Sequence, residues 1–525
     1  MKYKSLPLFL SFITVATYAQ VPEDALKYSW STPFGTARNQ AIGGAAGSLG
    51  GDISSLFINP AGLGFYKTAE LVVSPGLSML SNNSNFRGTG TSASKSAFNL
   101  GASGFVLGGM QGQGSSSSAF AIGITRTANF NSTISYKGQN NFSSYGEQFA
   151  AEIANSGLSI SDVLNSSSVS LQSRMALYTY LVDTASIPGH TGQDVISMAM
   201  WNSLKNGAPF NLLQENHVQT SGGISELGFG YAINTNDKFY IGGSIGLSFL
   251  NYQKQSTFTE SDATGNNNNN FSYSELTETI TTKGLGFNAK FGAIYNAADN
   301  LRLGLAFYTP TIYAGMTDTY EGSMTTNTQN YPPSPGVVTV NTSTFTGSSA
   351  PTPYNYTLST PWRAMLSGSY VIGQVSDVSK QKGFITADIE YINYKSNKYG
   401  NVSDDADITT NDPSYYDAVN KAIKDYYKGA FNFRVGGELK FTTLMARMGF
   451  AYYGDPYKDS ELNAHKMFAS AGLGYRDKGI FIDLAYVLGL NKDVNFPYRL
   501  PDKANTFATV NGTGGNIVLT LGTKF

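Results

Sequence analysis

The last ten residues, Asn516-Ile517-Val518-Leu519-Thr520-Leu521-Gly522-Thr523-Lys524-Phe525, constrain the fold more than any other stretch of the chain. Ile517, Leu519 and Leu521 alternate with Val518, Thr520 and Gly522, and a two-residue period is a strand with two different faces. A closing amphipathic strand that stops on an aromatic is the form that bacterial outer-membrane barrels present to their insertion machinery. The expectation is a membrane protein built from strands, because the mature chain holds no apolar run long enough for a spanning helix.

The other terminus agrees. Lys2 and Lys4 are a positive start, Leu6 to Val15 a short apolar run, and Thr17-Tyr18-Ala19 a small-residue cleavage site. Residues 1–19 therefore read as a secretory signal peptide. A chain of 525 residues would by default form two or three soluble domains. Composition argues against that: only 14% of residues are charged, the net charge is -1, and there are 57 Gly, 33 Tyr and 32 Phe. Mean hydropathy is -0.18, too polar for a bundle of membrane helices. A transmembrane barrel reconciles these facts, since half of each strand faces lipid, half faces a polar lumen, and aromatics form interfacial belts. Balanced charge gives no reason to expect nucleic acid. The absence of cysteine excludes disulfides and thiol chemistry.

Alternation predicts about fourteen strands after residue 66. The clearest run over 119–125, 239–250, 285–295, 301–308, 384–394, 431–441, 444–453, 468–475 and 480–488. Weaker ones lie near 68–79, 97–108, 221–233 and 362–373, and the terminal strand completes the set. Short links (109–116, 234–238, 296–300, 374–382, 442–443, 476–479) alternate with long ones (80–95, 137–216, 260–274, 322–360, 397–428, 454–466, 490–514). Short periplasmic turns and long outer loops follow the barrel rule, and closure is forced because an open sheet edge is not tolerated in hydrocarbon. Helical spacing is expected inside 143–216, and again over 413–427 with Asn411 or Asp412 as cap. Residues 20–66 hold Gly43-Gly44, Gly47 and Gly50-Gly51, then Leu56-Phe57-Ile58-Asn59-Pro60-Ala61-Gly62-Leu63, a segment small enough to fill a lumen as a plug.

These features resemble the FadL/TodX-type outer-membrane transporters of long-chain fatty acids and aromatic hydrocarbons. The resemblance rests on Asn59-Pro60-Ala61-Gly62 ahead of the first strand, Thr360-Pro361-Trp362-Arg363, Asp388-Ile389-Glu390-Tyr391, Arg434-Val435-Gly436-Gly437-Glu438, Arg447-Met448-Gly449-Phe450-Ala451-Tyr452-Tyr453 with Pro456 beyond, and Phe525, in that order. It implies an all-β, fourteen-strand barrel with an N-terminal hatch, uptake of hydrophobic molecules, and exit sideways through the wall. Ala119 to Phe130 is the strand expected to hold that opening. Longer outer loops than the better-known members leave the substrate open, and members that serve protein export keep a scaffold role as the alternative.

Asn59, Pro60, Ala61 and Gly62 are the candidate gating turn: Pro60 fixes φ, Asn59 caps its own turn, and Gly62 permits positive φ. Asp388, Glu390, Arg434, Glu438, Lys440, Arg447 and Asp483 alternate with apolar neighbours and are expected in the lumen as a paired network, bracing the barrel or meeting a substrate headgroup. Leu177, Leu181, Met198, Met200 and Trp201 are either an apolar landing groove or loop helices packed on each other. A haem reading through His190, His217 or His465 has no spacing behind it, and a polar porin conflicts with a plug. Asp404, Asp405 and Asp407 lack the Gly and distal Glu of a calcium loop. No catalytic arrangement and no cofactor is expected. The expected partners are a hydrophobic ligand, outer-membrane lipid and lipopolysaccharide, and the insertion machinery through Phe525.

Overall fold

On each wall strand, exposed apolar side chains alternate with buried small or polar ones. In one strand Leu285, Phe287 and Phe291 are exposed while Asn288 and Lys290 are buried. The apolar outside and polar inside are what a bilayer selects. The structure is a computed structural model describing residues 22–30, 32–110, 116–373, 381–402, 413–459, 464–500 and 502–525. The signal-peptide residues, Asp404, Asp405, Asp407, and the caps Asn411 and Asp412 lie outside them. No helix among the described residues is long and apolar enough to cross a membrane.

Fourteen antiparallel strands close into a barrel. They are β1 (Glu70–Val73, continuing as Pro75–Phe86), β2 (Thr89–Leu100, then Ser103–Met110), β3 (Ser117–Asn129, then Ser132–Asn140), β4 (Leu212–Thr235) and β5 (Phe239–Asp262). Next come β6 (Tyr273–Ala298), β7 (Leu301–Tyr308, then Ile312–Asn327), β8 (Tyr354–Ser359, then Arg363–Gly373), β9 (Gln381–Asn393) and β10 (Gly429–Phe441). The last four are β11 (Leu444–Tyr453), β12 (Lys466–Asp477), β13 (Ile480–Asn495) and β14 (Ala508–Lys524). Each pairs with its neighbours in sequence, and Glu70↔Lys524 through Val73↔Leu521 joins first strand to last.

Several stretches expected as long outer loops are strand. β1 and β2 turn over at Arg87-Gly88, β5 and β6 leave only 263–272 between them, and β13 and β14 leave 496–507. Their outer halves stand above the lipid. Water or other loops meet both faces there, so runs such as Gln253-Lys254-Gln255-Ser256-Thr257 lose the apolar alternation while keeping their ladder, Gln253↔Thr281 through Thr257↔Thr277. Between β3 and β4, helices form at Gly146–Ser156, Leu171–Tyr178 and Trp201–Asn206, with a small hairpin of Val182–Ala185 and Asp194–Ser197. The helix Pro413–Tyr426 sits between β9 and β10.

Candidate functional site

The plug is held backbone to wall. Its helices α1 (Pro22–Ser29), α2 (Ala37–Ala41) and α3 (Ser55–Ile58) are followed by a 3-10 turn, Pro60–Phe65. Thr36 caps α2, accepting from Asn39 N at 3.2 Å. Wall side chains then take up main-chain groups the short helices leave unpaired. Ala37 N donates to Thr520 Oγ1 (2.8 Å), Gly43 N to Ser470 Oγ (3.1 Å) and Gly47 N to Asp388 Oδ2 (3.3 Å). Ser244 Oγ donates to Leu56 O (2.9 Å), Arg302 to Leu49 O (2.8 Å), Tyr308 OH to Ile58 O (2.5 Å) and Ser117 Oγ to Gly64 O (2.8 Å). The segment thereby reaches strands around the whole ring.

Of these attachments, Asn59 has the most partners. Its Oδ1 accepts from Ala61 N (3.2 Å), and its Nδ2 lies 2.6 Å from Gly47 O, 3.3 Å from Leu305 O and 3.4 Å from Ala293 O. One side chain thus ties the Pro60 turn to the glycine-rich loop and to β6 and β7. Pro60 and Ala61 lie against Gly242 of β5, where any Cβ would meet Pro60 O at 2.5 Å. Gly62, expected to use positive φ, does not; it is small because a Cβ would stand 2.6 Å from Ser55 Oγ. Gly43, Gly44, Gly50 and Gly51 carry the positive φ values instead. Asn59→Ala removes the link to the wall and leaves buried carbonyls unpaired, an expected loss of about 1–3 kcal/mol. Thermal unfolding in detergent, with bilayer conductance recorded alongside, checks it: a lower midpoint and intermittent pore openings are expected.

The charged side chains form two buried clusters. Arg434 lies 3.3 Å from Glu390 and 3.8 Å from Asp388. Arg447, wholly buried, lies 2.6 Å from Glu438 and 2.5 Å from Asp483. The plug enters both, through Gly47 N at Asp388 and through Arg38, 3.6 Å from Glu438. Lys440 stands apart, half-buried, donating to Gln381 at 3.2 Å and joining no ion pair among the described residues. A third buried pair, Lys290 and Glu226 at 2.5 Å, escaped the sequence reading although the same alternation rule marks it.

One seam of the wall is incomplete. β2 and β3 pair only from Ser103↔Ile124 to Met110↔Ser117. Above that β2 breaks at Gly101-Ala102 and β3 at Phe130-Asn131, and no ladder joins the upper parts among the described residues. Side chains of β1, the strand paired with β2, reach β3 instead: Asn82 donates to Thr133 O (2.7 Å) and Ser132 Oγ (2.9 Å), and Ser78 Oγ accepts from Asn129 (2.7 Å). Thr125 Oγ1 and Arg126 Nε, on β3 near the break, are buried without a hydrogen-bond partner among the described residues. Phe98, 87% exposed, and Leu100 flank the seam on β2, so it lies at the height of the apolar belt. The plug touches it, because Gly101 packs against Gly35 O.

The five side chains read as a possible landing groove are packed inside the outer cap. Leu177 and Leu181 belong to a loop core with Phe149, Met175 and Phe258, while Met198 and Met200 are also buried. Trp201, half-buried, packs at a tilt on Tyr331, ring centroids 5.2 Å apart. None of the five lines the outer cavity of about 1250 Å³, whose walls include Phe149, Glu152, Gln172, Glu278 and Tyr320. Among the described residues no three His, Asp or Glu side chains gather as a metal site.

No protein-family model matches the chain, and no curated protein matches it. Solved structures do. A FadL homologue from Pseudomonas aeruginosa superposes with a TM-score of 0.52 at 13% identity, covering 95% of this chain and 100% of its own. The Pseudomonas putida toluene transporter TodX gives 0.47 at 13% identity, covering 95% and 100%. The Ralstonia pickettii toluene transporter TbuX gives 0.47 at 13%, covering 94% and 99%. The plugged fourteen-strand barrel of this chain has the fold of the FadL-type outer-membrane transporters.

Proposed function

We propose that this chain is an outer-membrane channel for passive uptake of apolar molecules, long-chain fatty acids and similar lipids or aromatic hydrocarbons, gated by residues 20–66. Residues 1–19 would be removed on export, and residues 67–525 would form the barrel with its outer loops. One observation carries the reading: the lumen is filled by the plug, while a seam of the wall at bilayer height lacks its ladder. A polar porin needs an open lumen and a closed wall. A molecule that prefers hydrocarbon needs only a way past the outer cap and a sideways exit into lipid. Because Gly101 at the break packs on Gly35 of the plug, movement of one is felt by the other. No chemistry and no energy source is part of the proposal.

Asn82→Cys with Ser132→Cys tests the exit. These side chains, on β1 and β3, already touch at 2.9 Å, so joining them ties the β1–β2 hairpin to β3, and the chain has no cysteine of its own. Joining them with a short bis-thiol reagent should abolish uptake of a radiolabelled apolar solute into cells, with treated single-cysteine variants unaffected. Full uptake through the joined seam would rule out a lateral exit there.

A further inference from the structure

Three outer loops meet at one buried carboxylate. Apolar lipid-facing side chains on β5 end at Phe249, and Glu260 stands eleven residues further out, fully buried. Its Oε1 accepts from Ser144 Oγ (2.6 Å); its Oε2 accepts from Tyr145 N (2.9 Å) and Gln214 Nε2 (2.6 Å). Gln214 Nε2 lies 2.9 Å from Tyr498 OH in the last loop, and Gln214 Oε1 accepts from Asn140 at 2.9 Å. The end of β3, the start of the loop helix Gly146–Ser156, β4, β5 and the β13–β14 loop are thus fastened together.

Among the described residues no cation pairs with this carboxylate. Glu147, on the loop helix, adds negative charge nearby and is itself paired with Lys503 of the last loop. The remaining titratable neighbours are the phenols of Tyr145 and Tyr498, and β6 places Ser274 opposite. Burial, offset in part by the three donors and reinforced by Glu147, pushes the Glu260 carboxyl up to about 7.

We propose that Glu260 is a proton-operated clasp on the outer cap: protonated, it holds the helix Gly146–Ser156 shut over the barrel, and ionised, it lets that helix loosen. Burial beside Glu147 favours the neutral form, and the contacts survive protonation, since Oε2 still accepts from Tyr145 N and Gln214 Nε2. A protonated Glu260 donates to Ser144 Oγ, whose hydrogen turns to Ser197 Oγ at 2.9 Å. Ionised, the same site holds a buried charge without a counterion. The helix contributes Gln148, Phe149 and Glu152 to the outer cavity, facing Glu278 and Tyr320, so the clasp sets how wide that cavity opens.

The closed cap binds the proton more tightly than an opened loop, where the carboxyl has its ordinary value of 4.5. The closed state is therefore fully favoured below pH 4.5, loses ground as pH rises to about 7, and changes no further above it. Hydrogen exchange of peptides spanning 141–163 in the full chain, corrected for intrinsic rates, reads this directly. Between pH 4.5 and 8.5 the opening equilibrium should rise on the order of a hundredfold. Glu260→Gln should remain closed with a flat profile, and Glu147→Gln should keep the rise with its midpoint moved to lower pH, since losing the Glu147 charge and freeing Lys503 both favour the ionised carboxyl. A flat wild-type profile, or a Glu260→Gln profile with the wild-type slope, would overturn the proposal. The readout is the loop itself, so the result stands apart from whether the barrel carries apolar molecules.

Discussion

Gly449→Leu is expected to unseat the plug without breaking the barrel. Gly449 of β11 and Gly436 of β10 face each other across the ladder, and a Cβ on either would collide with the main chain of Ile42 and Gly43. Backbone atoms cannot rotate away as a side-chain tip can, so the plug must move. The strand pairing does not depend on the missing Cβ and should persist. Overpacking of this kind costs about 1–3 kcal/mol, as much as one or two of the hydrogen bonds that hold the plug contribute. In planar bilayers the variant should conduct ions steadily where the wild type is closed, while still running as a folded barrel on unheated gels. Gly368→Leu is the control, since the nearest atom to its added Cβ, on Leu303, is 4.0 Å away. Wild-type conductance in Gly449→Leu would mean that the plug is not seated on these glycines.

Arg447→Met should be the most destabilising single substitution in the lumen. The guanidinium is wholly buried between Glu438 and Asp483. Removing it strands two buried carboxylates with only Arg38 (3.6 Å) and Arg476 (3.8 Å) beside them. Breaking a buried pair by deleting one partner costs about 3–5 kcal/mol. Urea unfolding in detergent should show that loss, and adding Glu438→Gln and Asp483→Asn should recover much of it. Lys440→Met, whose side chain donates to Gln381 at 3.2 Å and joins no ion pair among the described residues, should change stability by less than about 1 kcal/mol. Equal losses for Arg447→Met and Lys440→Met would mean that the cluster does not brace the wall.

The wall was legible because lipid imposes one rule on every strand. The 301–308 and 444–453 runs match β7's first part and β11 to the residue, and the 442–443 link is the β10–β11 turn. Legibility stopped where that rule stops. Above the bilayer β5 and β6 run on through Thr257, Glu260 and Glu275, polar outside and mixed inside, where Phe258 and Leu276 sit among polar neighbours, and such stretches read as loop. The site was legible by residue type but not by role. Charged positions on alternating strands pointed to a lumen network, yet nothing in the spacing said that Lys440 would turn to Gln381 or that Arg38 would enter from the plug. The Leu177–Trp201 set illustrates a second limit: an apolar helical face looks the same whether it awaits a ligand or, as here, a neighbouring loop. Gly436 and Gly449 stand inside the motifs that carry the resemblance, yet nothing marked their role, because the need for a missing Cβ arises only once the plug is in place.

The most direct test of the account is to measure, on one preparation of the unmodified protein in liposomes, the entry of a radiolabelled apolar solute and the passage of small ions. The account predicts protein-dependent entry of a long-chain fatty acid or a small aromatic hydrocarbon with no steady ion conductance, since the lumen is plugged and the seam opens to lipid. Steady porin-like conductance, or apolar entry no faster than in protein-free liposomes, would contradict it.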